Sequence, residues 1–227
     1  MRLKPSRSRR IVLILPMTAF LSNRDIYTSV VCSLVPQAKE RLWIATADIK
    51  DMYVDIGGRD MVPFLEVLDG MVKRGVEVRL IHAKDPGPNW RDDFDRYPTL
   101  WTAMERMLCP RVHFKCVIVD GVKAYFGSAN LTGAGMGAKS EKKRNFENGI
   151  LTDDPVLVEP LAEQFDSVWR NAPAAKPSGS PASAARSFRV AKVARGCATF
   201  AANVVDVSSV AIQRYSFSLW VLFKKEL

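Results

Sequence analysis

Histidine is scarce in this sequence: His82 and His113 are the only two in 227 residues. A metal centre built from several imidazoles therefore has too few ligands. The four cysteines, Cys32, Cys109, Cys116 and Cys197, lack the paired spacing of a zinc site and are too few to staple a chain of this length. They imply free thiols and a reduced, cytoplasmic setting. No apolar run approaches the roughly 20 residues a membrane-spanning helix needs. The formal net charge is +9, yet the central part of the chain has no basic excess. Residues 11–172 hold 20 basic and 22 acidic side chains. The excess sits in residues 1–10 (five basic, none acidic) and 173–227 (eight basic, two acidic). A global basicity argument for a polyanionic substrate is thereby weakened.

The hydrophobic fraction, 48%, and the charged fraction, 25%, are those of an ordinary folded protein with one good core. Along the chain, short apolar strands alternate with helical stripes. Residues 1–24 admit two readings, a signal-like segment or a basic arm followed by a strand. Pro16 interrupts the apolar run and no small-x-small cleavage site follows, so a first strand at Ile11–Leu15 is expected. Ser22 and Asp25 suggest a helix start, with Ile26, Val30, Leu34 and Ala38 as its buried stripe. Strands are expected at Arg41–Ala47 and Val76–Ile81, with a helix between them that opens near Pro63 and stops at Gly75. His82, at a strand end, reads as a structural histidine or a second acid–base group. Lys84–Pro98 is expected to be a loop, and Leu100, Trp101, Met104 and Leu108 the stripe of a helix. A strand at Gly149–Thr152 and a helix carrying Leu161, Phe165, Val168 and Trp169 complete the body. The predicted fold is α/β, helices layered on both faces of a mixed sheet. Its boundaries are a basic segment at 1–10, a body at 11–172, an Ala/Pro/Ser-rich linker at 173–187 and a basic tail at 188–227.

Within this body the stretch His113–Asn130, HFKCVIVDGVKAYFGSAN, concentrates the chemistry. On a strand, His113 and Lys115 project to one side. Cys116–Val119 suit a strand buried on both faces. Asp120-Gly121 signals a tight turn, with Val122–Phe126 returning. Gly127 allows close approach of another group, and Ser128 and Asn130 follow as small polar side chains. A neutral imidazole can attack phosphorus, and lysine and asparagine donors can hold phosphate oxygens as charge builds. Lys139, Lys142, Lys143 and Arg144 form a basic run just downstream. It reads as a solvated loop or as a clamp on a phosphate backbone.

The stretch resembles the HxK-x4-D-x6-GSxN signature of the phospholipase D superfamily and matches it at every fixed position. Asn145-Phe146-Glu147, followed by Gly149-Ile150-Leu151, is similar to that family's downstream glutamate element. The resemblance implies that His113 is a nucleophile forming a phosphohistidine. It implies that Lys115 and Asn130, assisted by Ser128, bind phosphate oxygens. Glu147 would orient a histidine, and Asp120 would organise the turn and partner a nearby base. Neither a metal nor any other cofactor is implied. The signature occurs once, so a second acid–base group is missing. Single-motif relatives, notably small bacterial endonucleases, supply it by twofold pairing, and a homodimer is the corresponding expectation. The expected activity is hydrolysis of phosphodiesters, nucleic acid first and phospholipid second, with a non-catalytic DNA-binding subunit as the third reading. A membrane contact through the apolar patch Phe217–Phe223 is the less favoured partner.

Overall fold

A computed structural model describes residues 15–57 and 60–171. The expected linker, the basic tail, the patch at Phe217–Phe223 and the segment 1–10 lie outside the described residues. Nine strands are present among the described residues: β1 Thr18–Ser22, β2 Arg41–Thr46, β3 Tyr53–Asp55, β4 Met61–Pro63, β5 Glu77–His82, β6 Met104–Leu108, β7 Lys115–Val119, β8 Lys123–Gly127 and β9 Asn148–Thr152. Seven form one sheet in the order β1-β9-β8-β7-β2-β5-β6, and β3 and β4 form a separate hairpin. The β2–β5 and β5–β6 pairs are parallel, and the other pairs of the large sheet are antiparallel. The sheet is therefore mixed, as expected.

Alternation along β2 shows why both faces are covered. Leu42 and Ile44 join one apolar cluster, with Ile26, Val30 and Leu34 and with Phe64, Leu65 and Leu68. Trp43 and Ala45 join another, with Val158, Phe165 and Trp169. The first face carries a helical segment that starts as α1 (Arg24–Ile26) and continues as a wide π-type helix, Tyr27–Leu34, and a tight turn, Val35–Gln37. It also carries α2 (Phe64–Lys73). The second face carries α5 (Pro155–Asn171), where Trp43 and Phe165 stack at 5.1 Å. The predicted stripe Ile26, Val30, Leu34, Ala38 is buried throughout. Gly75 ends α2 at φ +87°, a conformation glycine adopts without cost. Asp154 starts α5, its Oδ1 accepting from the Val156 amide at 3.0 Å.

Three expectations change, and a fourth lies outside the described residues. The first described strand is Thr18–Ser22; of the strand expected at Ile11–Leu15 only the exposed Leu15 is described. Pairing with β9 fixes this register, from Thr18 opposite Thr152 to Ser22 opposite Asn148. Ser22 thus closes a strand instead of capping a helix, and the helix follows Asn23, which has φ 48°. Lys84–Pro98 contains α3 (Pro88–Asp95), whose two apolar residues, Trp90 and Phe94, are both buried and stack at 5.0 Å. The Leu100–Leu108 stripe splits into α4 (Pro98–Ala103) and strand β6. Alignment beside β5 and the Arg79–Glu105 ion pair at 2.7 Å favour the extended form there.

Candidate active site

The signature residues converge at one end of the large sheet. Ala45 faces Cys116 across β2 and β7. Continuing that register by one residue sets Thr46 beside Lys115, and Lys115 in turn faces Gly127, which faces Gly149. The end of β2, the start of β7, the end of β8 and the start of β9 therefore share one edge. Asp120 terminates the opposite end of β7. Its carboxylate accepts from the amides of Lys39 (3.1 Å), Glu40 (2.8 Å) and Arg41 (2.9 Å). Burial pushes its pKa up, but the amide bonds and Arg41 outweigh this and hold it below the usual carboxylate value. Its observed role is to tie the turn at φ 54° to the start of β2.

His113 precedes β7 rather than lying on it, yet it does meet Lys115. The Lys115 ammonium, on a side chain only 8% exposed, donates to the His113 carbonyl at 2.6 Å. It lies 3.2 Å from Nδ1 and 3.4 Å from Nε2 of the same residue. A neutral imidazole has one acceptor nitrogen, so the ammonium bonds whichever bears the lone pair. Burial lowers the Lys115 pKa, and the negative charge of Glu147 opposes that shift. The His113 ring itself is exposed.

Asn130 is held through its oxygen. Oδ1 accepts from the amides of Ala47 (3.2 Å) and Asp48 (3.3 Å). Two backbone donors fix the carbonyl side of the amide, which leaves the NH₂ side available to an anion. Behind it stands Thr46, 1% exposed, which sequence spacing does not reveal. Its hydroxyl donates to the Asp48 carbonyl (2.7 Å), accepts from the Leu131 amide (2.9 Å) and lies 3.5 Å from Asn130 Oδ1. The Lys50 amide to the Leu131 carbonyl, at 3.0 Å, ties the two loops again. Asp51 follows in this tie. Burial and a contact with the Asp93 carboxyl push its pKa up to about 6.

Glu147 accepts from Ser128 Oγ in a short hydrogen bond and from Asn145 Nδ2 at 3.1 Å. Within the single chain its carboxylate thus serves Ser128 and Asn145. Asn23 clasps the backbone here: its amide donates to the Glu147 carbonyl at 2.9 Å and its Oδ1 accepts the Glu147 amide at 3.2 Å. No pattern in the sequence marks Asn23, which lies over a hundred residues away. Gly127 has a clear requirement, and it comes from the fold. A Cβ there would sit 2.3 Å from the Asn148 carbonyl.

Lys139, Lys142 and Lys143 are exposed, and Arg144 is half-buried with Glu141 at 3.7 Å. Their loop is pinned by the amides of Lys139 to the Gly133 carbonyl and Asn145 to the Ala134 carbonyl, both at 3.0 Å. His82 is 1% exposed, with Nδ1 2.7 Å from the Lys84 carbonyl. Burial lowers its pKa. This environment is that of a packed, structural histidine. Cys32, Cys109 and Cys116 are free thiols; Cys197 lies outside the described residues. No described helix is long and apolar enough to cross a membrane.

Comparison with known proteins agrees with the geometry. The mitochondrial cardiolipin hydrolase of Chlamydomonas reinhardtii is 30% identical over 97 residues, 42% of this chain and 41% of that protein. This chain thus spans less than half the length of that relative. Among solved structures, Nuc, a phospholipase D family member from Salmonella typhimurium, has a TM-score of 0.52 at 20% identity. The match covers 72% of this chain and 100% of Nuc. NucT from Helicobacter pylori has a TM-score of 0.52 at 17% identity, covering 71% of this chain and 100% of NucT. At such identities the likeness is one of fold. The family described as "Cardiolipin synthase, PLD-like domain" matches residues 31–169, more than half of the sequence and the whole signature, so the chain belongs to the phospholipase D-like family.

Proposed function

We propose that this protein is a phosphodiesterase that hydrolyses nucleic-acid diesters without a metal, through a phosphohistidine on His113. The observation that carries the reading is the exposed His113 ring on the buried Lys115 ammonium, at the sheet edge that also holds Ser128, Asn130 and Glu147. An entering phosphate takes over the Lys115 donors, and the Asn130 NH₂ group binds a second non-bridging oxygen. The lone pair of His113 forms the N–P bond as the P–O bond to the leaving group breaks. A second acid–base group gives the leaving oxygen its proton, then takes one from the water that attacks the phosphohistidine. The only other histidine is the buried His82, so the His113 of a second copy fills that role in a twofold dimer. Ser128, held by Glu147, assists at the phosphate. Exposed Lys139, Lys142 and Lys143 favour a polyanion over an isolated headgroup.

Cleavage of single- and double-stranded DNA in EDTA, abolished in His113→Ala, is the expected result. Headgroup release from cardiolipin vesicles with no DNA cleavage would replace nucleic acid by phospholipid. That second reading draws its support from the similarity to a cardiolipin hydrolase. Salt-dependent DNA binding without turnover of any diester would leave a binding subunit only.

A further inference from the structure

We infer that Phe146 is a platform on which an unpaired base stacks, biasing the site toward single-stranded nucleic acid. The inference rests on the nucleic-acid reading above and adds a determinant to it. The Phe146 side chain is 96% exposed, more than any other large hydrophobic among the described residues. Scattered exposed apolar residues are common and by themselves signify nothing. The setting of this one is different. Its neighbour Glu147 bonds Ser128 of the signature, so the backbone that carries the ring runs at the reacting edge.

The backbone on both sides of the ring is fixed. The Asn145 amide donates to the Ala134 carbonyl at 3.0 Å, and Asn23 clasps both backbone groups of Glu147 at 2.9 and 3.2 Å. An aromatic ring outside the protein surface, on a backbone that cannot swing, loses little conformational freedom when a ligand covers it. Upstream, Lys139, Lys142 and Lys143 are all exposed, and Glu141 is engaged by Arg144. Cations that track a backbone, beside an aromatic face, form the usual combination for a single strand. Bases in a duplex have both faces already stacked, so the ring finds a partner only in an unpaired strand.

A bilayer contact grows with contiguous apolar area, and here Asn145 and Glu147 flank the ring on either side, so a bilayer is the poorer occupant.

The test uses the full chain in the His113→Ala background, so that no substrate is consumed. The probe is a single-stranded oligonucleotide carrying one 2-aminopurine, with the matching duplex as control. Stacking should quench the probe, and Phe146→Ala should remove the quench and weaken single-strand affinity about tenfold. Phe146→Trp should retain both. Because the ring is almost wholly outside the fold, the alanine variant should melt at the parent temperature. Equal single-strand affinity in parent and Phe146→Ala would overturn the inference and leave the nucleic-acid reading intact. So would equal weakening of the duplex, a shift in the dimer equilibrium alone, or loss confined to anionic vesicles. A parent protein that binds neither oligonucleotide would defeat both.

Discussion

Replacing Thr46 by Val keeps the shape of the side chain and deletes one hydroxyl. That hydroxyl is 1% exposed with its residue, donates at 2.7 Å to the Asp48 carbonyl and accepts at 2.9 Å from the Leu131 amide. Each buried backbone group stranded by the change costs about 1–3 kcal/mol. Some relief comes from loop relaxation, so the expected loss of stability is about 2–4 kcal/mol in urea unfolding. The same hydroxyl stands 3.5 Å from Asn130 Oδ1, and the Asp48 amide that fixes Asn130 belongs to the loop it anchors. A displaced amide costs roughly tenfold to hundredfold in turnover of a small chromogenic diester. Under the proposed mechanism most of that loss should fall on kcat, since the phosphate oxygens that Asn130 would hold become more negative as the reaction proceeds. Thr46→Ser restores the hydroxyl and should recover most of both losses. If Thr46→Val is as stable and as active as the parent, the buttress does not work as described.

Glu147→Gln removes the charge that opposes the effect of burial on Lys115, so the Lys115 pKa should fall further. The alkaline limb of the pH–rate profile should then move to lower pH; an unmoved limb would show that Lys115 does not set it. Asp51, with its pKa raised to about 6 beside Asp93, binds a proton in the folded state that the unfolded chain has lost. The folded state holds more protons between about pH 4 and 6, so this group's contribution makes stability fall as pH rises through that window. The effect is at most about 3 kcal/mol before solvent screening. Asp51→Asn should flatten that slope in denaturant titrations at pH 4.5 and 7. Gly127→Ala places a Cβ 2.3 Å from the Asn148 carbonyl. It should destabilise the β8–β9 pair by about 1–3 kcal/mol, measurable as a lowered urea midpoint.

The order of strands and helices was legible where one signal acted alone. The turn at Asp120-Gly121, the stop at Gly75 and the stripe from Ile26 to Ala38 follow from local rules, and all three stand in the structure. Strand β6 was not legible, because MERML satisfies a helix stripe as well as an edge strand and only its alignment beside β5 decides. Helix α3 carries just Trp90 and Phe94 as apolar anchors amid four acidic or basic residues, so its periodicity was weak. The site divides in the same way. His113, Lys115, Ser128, Asn130 and Glu147 were marked by spacing. Thr46 and Asn23 were not, because the sheet register and a clasp across 124 residues bring them in. Asp120 shares the signature and lies at the other end of β7, where its amide partners assign it to the turn.

Acid-free quenching of a 32P-labelled diester reaction, followed by peptide mapping of the labelled protein, tests the central claim most directly. The account predicts alkali-stable, acid-labile label on the peptide containing His113, absent from His113→Ala and undiminished by EDTA. Turnover that proceeds without such label, or label that persists when His113 is removed, would contradict it.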